Sequence, residues 1–226
     1  MTDTPRVVIL GGHGKVALLA APKLISRGFA VDSLIRKPEQ AADVQAAGAN
    51  PVVLDIERAG VDELAAAFEG AAAIVFSAGA GGGDPLRTNA VDYESAVRAI
   101  RAAKQSGISR FVMVSYSRAL VDVEALDPSH SFYPYAKAKH RADAVLRDSG
   151  LDYTILGPGA LTLEPGSGKI TVADAQGRLD GLVPETTSTS RENVAEAIAL
   201  VLGEHLLSGA TANFFDGETD MEAAWR

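Results

Sequence analysis

The chain has 226 residues, 47% of them hydrophobic, with 29 acidic and 21 basic residues for a net charge of −8. That suits one domain spanning 1–226; the acidic balance excludes a nucleic-acid surface, which needs clustered Lys and Arg. There is no cysteine and so no disulfide framework or thiolate chemistry; the four histidines (His13, His130, His140, His205) lack metal-ligand spacing, so no metal is expected. No apolar run approaches the roughly 20 residues of a membrane span, and the polar start "MTDTPR" lacks the basic region of a signal peptide; a cytoplasmic protein without a membrane partner is the expectation.

Val7–Leu10 reads as a first strand, followed by a glycine loop and a helix over Lys15–Arg27. Ala30–Arg36 is a second strand closed by Pro38, and Pro51–Asp55 a third, with a helix over Asp62–Phe68. Ala72–Ala78 is a fourth strand, Asn89–Lys104 a long helix, Arg110–Ser115 a fifth strand, Tyr135–Asp148 a helix and Asp152–Leu156 a sixth strand. Continuous apolar strands alternating with helices predict a parallel sheet covered on both faces. That is the doubly wound, Rossmann-type α/β class. After Gly157 the alternation fades; Thr186–Ser190 is turn-rich and Arg191–Leu206 is a last amphipathic helix. The segment 157–226 is expected to form a small C-terminal cap on the substrate side.

The glycine loop fits two dinucleotide-binding frames, Gly12-x-Gly14-x-x-Ala17 and Gly11-x-x-Gly14-x-x-Ala17. Both put glycine where the chain turns tightly and where backbone approaches a pyrophosphate. The helix N-terminus behind it offers free N–H groups and a partial positive charge; His13 and Lys15 add donors. An acid about 20 residues on, here Asp32, ordinarily signals NAD. Asp32 lies near the start of the second strand, roughly 13 Å from its end at ~3.3 Å per residue. Arg36 and Lys37 stand at that end, and two cations there suit the 2′-phosphate of NADP, with NAD still possible. Asp55 ends the third strand, as an adenine acceptor or a turn-former.

The stretch "FYPYAKAKH" holds Tyr-x-x-x-Lys twice, as Tyr133/Lys137 and Tyr135/Lys139. Residue 133 precedes Pro134 and is biased away from helical angles, whereas Pro134 suits a first helical position; Tyr133 is expected outside the helix. At 100° per residue Tyr135, Lys139, Ala142 and Leu146 fall within about 40° of one another, while Lys137 falls on the wet side. Lys139 on an inward stripe needs partners. Beside Tyr135 it can hold ribose hydroxyls and lower the tyrosine pKa, so that Tyr135 exchanges a proton as hydride moves.

These features, with "GGHGKVA", "LIRKPE", "VVLDIE", "VDYESAVRAIRAAKQSGISRFVMVS", "YAKAKHRADAVLRDSGLDYTIL", "PGALT" and "SRENVAEAIA", resemble the atypical short-chain dehydrogenase/reductases, the NAD(P)H-binding group that includes biliverdin reductase B-like flavin reductases and NmrA-like proteins. The resemblance implies cofactor contacts from Gly11, Gly12, His13, Gly14, Lys15 and Val16, then Arg36 with Lys37, Asp55 with Ile56, and Ser77, Ala78 and Gly79. Val114, Ser115 and Lys139 follow, and Pro158, Gly159, Ala160 and Leu161 line the nicotinamide side. Tyr135, Lys139 and Ser115 are the catalytic set. Two departures stand out. Relatives often carry two hydroxyl residues after the fifth strand; here Tyr116 follows Ser115, so the substrate carbonyl donor is Ser115, Tyr116 or Ser117, or absent. Relatives also carry Arg-Pro-Gly after the sixth strand, where this chain has Gly157-Pro158-Gly159. The function implied is an NADP-preferring oxidoreductase, monomer or homodimer, reducing a small carbonyl, quinone or flavin-like substrate. The alternatives are a non-catalytic NADP(H) sensor and a sugar-nucleotide epimerase or dehydratase.

Overall fold

Strands that are apolar at every position must bury both faces. In the computed structural model, which describes residues 4–81, 84–184 and 187–226, the central strands do so and the edge strand Asn50–Val53 stays partly exposed. The six expected strands are β1 (Arg6–Leu10), β2 (Ala30–Ile35), β3 (Asn50–Val53), β4 (Ala73–Phe76), β5 (Arg110–Val114) and β6 (Asp152–Pro158). All pair in parallel, in the order β6-β5-β4-β1-β2-β3. The order reverses between β1 and β4, so a crevice opens beyond their carboxyl ends.

The connecting helices are α1 (Lys15–Ser26), a short 3₁₀ turn (Pro38–Gln40), α2 (Ala41–Ala46), α3 (Val61–Phe68), α4 (Pro85–Thr88), α5 (Ala96–Gln105), α6 (Asp122–Ala125) and α7 (Tyr133–Arg147). Between α4 and α5 the chain widens into a π-helical stretch, Asn89–Ser95. Such stretches recur at functional sites; this one turns Asp92 inward, 1% exposed. Tyr133 is the first residue of α7, not outside it, with Pro134 next. In a first turn Pro134 gives up no intrahelical hydrogen bond, and this outweighs the bias on the residue before proline.

The two cores separate by strand parity. Val7, Ile9, Val112, Val114 and Leu156 pack with Ala17, Ala20, Ala21 and Leu24 of α1. Val8, Leu10, Ile74, Phe76, Phe111, Met113 and Ile155 pack on the other face with Leu64, Ile100, Ala142 and Leu146 of α3, α5 and α7.

Beyond Pro158 come β7 (Ala160–Thr162), β8 (Lys169–Ala173), β9 (Ser188–Ser190), α8 (Arg191–Gly203), β10 (Ala210–Asp216), β11 (Thr219–Asp220) and α9 (Met221–Trp225). The turn-rich stretch expected from Thr186 falls in part outside the described residues. This last third does more than cap. β10 pairs in parallel with β6, β8 runs antiparallel to β10, and β11 to β8, which makes nine strands among the described residues. Only β7 and β9 stand apart, as a two-stranded ladder. α8 joins α1 on its face of the sheet, with Val194, Ala195 and Ile198 in the same core and Glu196 accepting from Lys23 and Arg27 at 3.0 Å each. Phe214 of β10 is fully buried there, its ring centroid 5.5 Å from that of Trp225. Phe214→Ala should therefore cost about 3–5 kcal/mol and keep a single unfolding transition, read by urea titration. A separate early transition would show that β10 is peripheral to the core.

Candidate functional site

The carboxyl ends of β1 to β4 enclose a groove of about 320 Å³. Gly11 has φ +79°, and a Cβ there would stand 2.8 Å from Ala78 Cα; only glycine lets the loop pass so close to the end of β4. Gly14 caps α1, and its N–H donates to the Gly11 carbonyl at 2.8 Å. The first turn of α1 holds no acidic residue, so its unpaired N–H groups present an uncancelled positive end. Gly11, His13, Gly14, Arg36, Asp55, Ile56, Ser77, Ala78 and Gly79 all line this groove, as expected from sequence.

Four of the contacts expected from the glycine loop and the end of β2 do not line it. Gly12 turns toward β2: its N–H donates to Leu34 O at 2.9 Å, and a Cβ would stand 2.5 Å from Ser33 Cβ. Its glycine is needed for packing. Val16 is buried in the core, Lys15 is exposed, and Lys37 lines a shallower outer recess with Arg36, Arg58 and Arg87. Asp32, the acid that would signal NAD, is held by Arg6 at 2.6 Å and Asn50 at 2.8 Å. Asp55 lines the groove and also caps its own turn, accepting from Glu57 N at 3.1 Å. Arg98 braces that turn through the carbonyls of Ile56, Glu57 and Ala59.

Gln40, which the sequence reading missed, joins the two phosphate-side loops. Its Oε1 accepts from the backbone N–H groups of Arg36 and Lys37, both at 3.0 Å. Its Nε2 therefore faces His13 and donates to Nδ1 at 3.1 Å, leaving the imidazole proton on Nε2 to bond Asp43 at 2.7 Å. The signal was present in the spacing: a Gln three residues after Lys37 is the reach-back half of a capping box.

At the end of β5, Lys139 is 3% exposed. Its Nζ donates to Val114 O at 2.9 Å and lies 3.5 Å from Asp92 Oδ1, 5.9 Å from the Tyr135 ring centroid and 6.0 Å from that of Phe76. Asp92 is itself held by Ala80 N at 3.0 Å. Burial works against the ammonium, but Tyr135, Asp92 and Asp143 outweigh it and hold the Lys139 pKa above its ordinary value. Burial likewise pushes the Tyr135 phenol up, and the opposing pull of Lys139 does not cancel it. The expected lowering of Tyr135 is thus overturned on balance; desolvation of the phenolate is the larger effect. Lys137 is exposed and lies 5.9 Å from the Tyr133 ring centroid, so the other Tyr-x-x-x-Lys pair faces outward.

Ser115 does not offer a free hydroxyl. It is buried, and its Oγ donates to Asp143 Oδ2 at 2.6 Å, so its one proton is directed into α7 and away from a substrate carbonyl. Burial drives Asp143 up to about 6 despite that bond and the nearby Lys139. The Tyr116 ring lies 5.4 Å from Tyr135 and 5.5 Å from Phe132, and its hydroxyl is buried without a hydrogen-bond partner among the described residues. Burial and the Asp122 carboxylate push it upward. Pro158, Gly159, Ala160 and Leu161 do not line the groove; they leave β6 toward the β7–β9 ladder, where Gly159 N bonds Thr189 Oγ1 at 2.9 Å. Gly157 packs directly against Asn213, leaving no room for a side chain there.

A glycine-lined crevice at the strand-order reversal and an open helix N-terminus are the form of a dinucleotide-binding α/β protein. A family model described as NAD(P)H-binding matches residues 11–205, and the chain belongs to that family. It is 35% identical over 225 residues to a Bacillus subtilis protein named as an uncharacterised sugar epimerase, covering 97% of this chain and 98% of that one. A solved Bacillus halodurans structure bearing an NAD-dependent epimerase/dehydratase name superimposes with a TM-score of 0.86 at 32% identity, over 97% of this chain and 98% of that chain. An oxidoreductase structure from Lactococcus lactis gives 0.81 at 26% identity, over 97% and 94%. No helix among the described residues is long and apolar enough to cross a membrane.

Two outcomes are expected. Gln40→Ala removes the acceptor for two N–H groups and should weaken NADPH binding about 5- to 30-fold in a fluorescence titration. Asp143 gives a pH signature. Its folded-state value of about 6 lies above the ordinary 3.8, so between those values the folded chain keeps a proton that the unfolded chain has lost. Stability from this group is greatest below pH 4 and falls as pH rises through 6, by about 1–3 kcal/mol. Asp143→Asn should flatten that decline in urea unfolding measured from pH 4 to 7.5.

Proposed function

We propose that the protein is an NADPH-preferring reductase that transfers hydride to a small carbonyl, quinone or flavin-like acceptor. The observation that carries this reading is Lys139: an ammonium buried beside Tyr135 at the end of β5, bonded to Val114 O and paired with Asp92 at 3.5 Å. A packed core gains nothing from such a charge, whereas a proton-transfer site needs one. The groove suits a dinucleotide, since a side chain at Gly14 would crowd the Gly11 carbonyl at 3.0 Å and fill the approach to the α1 N-terminus. The α1 N–H groups and Gly14 would hold the pyrophosphate, with the adenine between Ile56 and Ala78. When bound, the nicotinamide supplies the hydride.

The chain's own residues manage the proton. Tyr135, kept protonated by its burial, gives its phenolic proton to the alkoxide oxygen that forms as hydride arrives. The Lys139 ammonium stabilises the phenolate left behind, and Asp92 and the Val114 carbonyl keep Lys139 charged and in place. With Ser115 bonded to Asp143, Tyr135 itself orients the acceptor oxygen. NADP preference is supported by Arg36 and Lys37, which make no ion pair within 4.0 Å among the described residues, while Asp32 is committed to Arg6.

A sensor reading, in which NADP(H) binds without turnover, is favoured by one observation, the engagement of Ser115. The epimerase names of the relatives mark a third reading; the segment after Pro158 goes largely into the sheet, leaving little to enclose a sugar nucleotide.

Arg36→Ala should weaken NADPH about 10- to 100-fold and leave NADH nearly unchanged; equal losses would remove the NADP assignment. Tyr135→Phe should bind NADPH normally and lose about 10²–10⁴-fold in carbonyl turnover. A flavin acceptor takes its proton from water, so the same variant should be nearly silent there. Lys139→Ala should lose both affinity and turnover, and Lys137→Ala neither. Tight NADPH binding by wild type with no turnover on any acceptor would favour the sensor.

A further inference from the structure

A second cavity, of about 340 Å³, shares no lining residue with the nucleotide groove. Thr211 and Asn213 of β10 line it from the sheet, Asp143 and Arg147 from α7, and Tyr116 and Leu120 from the chain leaving β5. Its origin is in the register. Thr211 pairs with Ile155, and Asn213 with Gly157; Ile155 faces the α7 core, so both β10 residues face that side. Being polar, they do not extend the core.

Two residues of this wall carry a buried polar atom without a hydrogen-bond partner among the described residues, Asp143 at Oδ1 and Tyr116 at its hydroxyl. Asp143 is 1% exposed, and its other oxygen is taken by Ser115. A buried carboxylate oxygen without a donor is costly to keep. The nearby cations do not satisfy it, since neither Lys139 nor Arg147 comes within 4.0 Å as an ion pair. The rest of the wall is largely apolar. An apolar cavity with a few convergent polar groups is the usual form of a small-molecule site.

We propose that this cavity binds a small, ring-sized, largely apolar molecule carrying a hydroxyl or N–H group, of the phenol or aromatic-alcohol class, whose donor completes Asp143 Oδ1. The site is separate from the nucleotide groove and does not rest on the reductase reading; one of its walls, the Tyr116 ring, lies 5.4 Å from Tyr135.

The test is a protein-detected NMR titration with two probes of equal size, p-cresol, which donates, and 4-methylanisole, which only accepts. Wild type should bind p-cresol saturably, with shifts centred on residues 116–120 and 211–213, and about tenfold more tightly than 4-methylanisole. In Asp143→Asn the Ser115 hydroxyl holds the amide oxygen, so the amide N–H₂ turns toward the cavity and the preference should vanish or reverse. Thr211→Phe, at an exposed position, should fill the cavity and abolish binding of both probes while leaving NADPH affinity and the melting temperature unchanged. No saturable shift in wild type would overturn the proposal. So would binding that survives Thr211→Phe, or a preference for p-cresol that persists in Asp143→Asn.

Discussion

An ammonium group cannot be buried alone. Taking Lys139 to 3% exposure would cost several kcal/mol without compensation, and much of the surrounding architecture follows from supplying it. Asp92 reaches it because the helix before α5 widens by a π turn, and Asp92 is fixed in turn by the Ala80 N–H at the exit of β4. Val114 presents its carbonyl because β5 ends there. Three elements distant in sequence thus converge on one charge. The phenol beside it inherits an environment in which losing a proton is difficult.

The groove beyond β1 to β4 is built on a different principle, neutral groups and backbone rather than buried charge. Glycines at 11 and 14 remove obstruction, α1 supplies direction through its N–H groups, and the Gln40 amide locks two loops into one rigid rim. The cations Arg36 and Arg87 stand at that rim. Arg87 is steadied by the Ala80 carbonyl at 2.6 Å, so the residue that places Asp92 also places a cation at the groove. The two halves of the site therefore share a hinge point at the chain leaving β4.

Much of this was legible in the sequence because it is local. Apolar runs announce buried parallel strands, and β1 to β6 lie within two residues of expectation. The 3.6-residue period separated Lys139 from Lys137 without any structure. What escaped depends on contacts across the fold. Gly12 reads as a cofactor glycine, and only the approach of Ser33 shows that it serves packing. Ser115 reads as a free hydroxyl until Asp143, 28 residues away, takes its proton. Asp92 could not be placed, since nothing in "NAVDYES" announces a π turn. β10 was missed because Thr211 and Asn213, which face the α7 side, interrupt the apolar pattern that marked the earlier strands. The Gln40 spacing was readable as a cap, but its bond to His13, 27 residues back, was not.

The insertion of β10 beside β6 has a consequence for how the chain is made. On a ribosome, residues 152–158 emerge well before 210–216, so β6 waits as the open edge of a finished six-stranded layer. Its backbone carbonyls and N–H groups are then unpaired along one side, and Leu156 lacks the cover that Phe214 and α8 later bring. Open edges of this kind invite pairing with other chains. Roughly fifty residues of further synthesis therefore separate a sheet that can already form from one that is closed against its neighbours, and the nascent protein is most vulnerable in that interval.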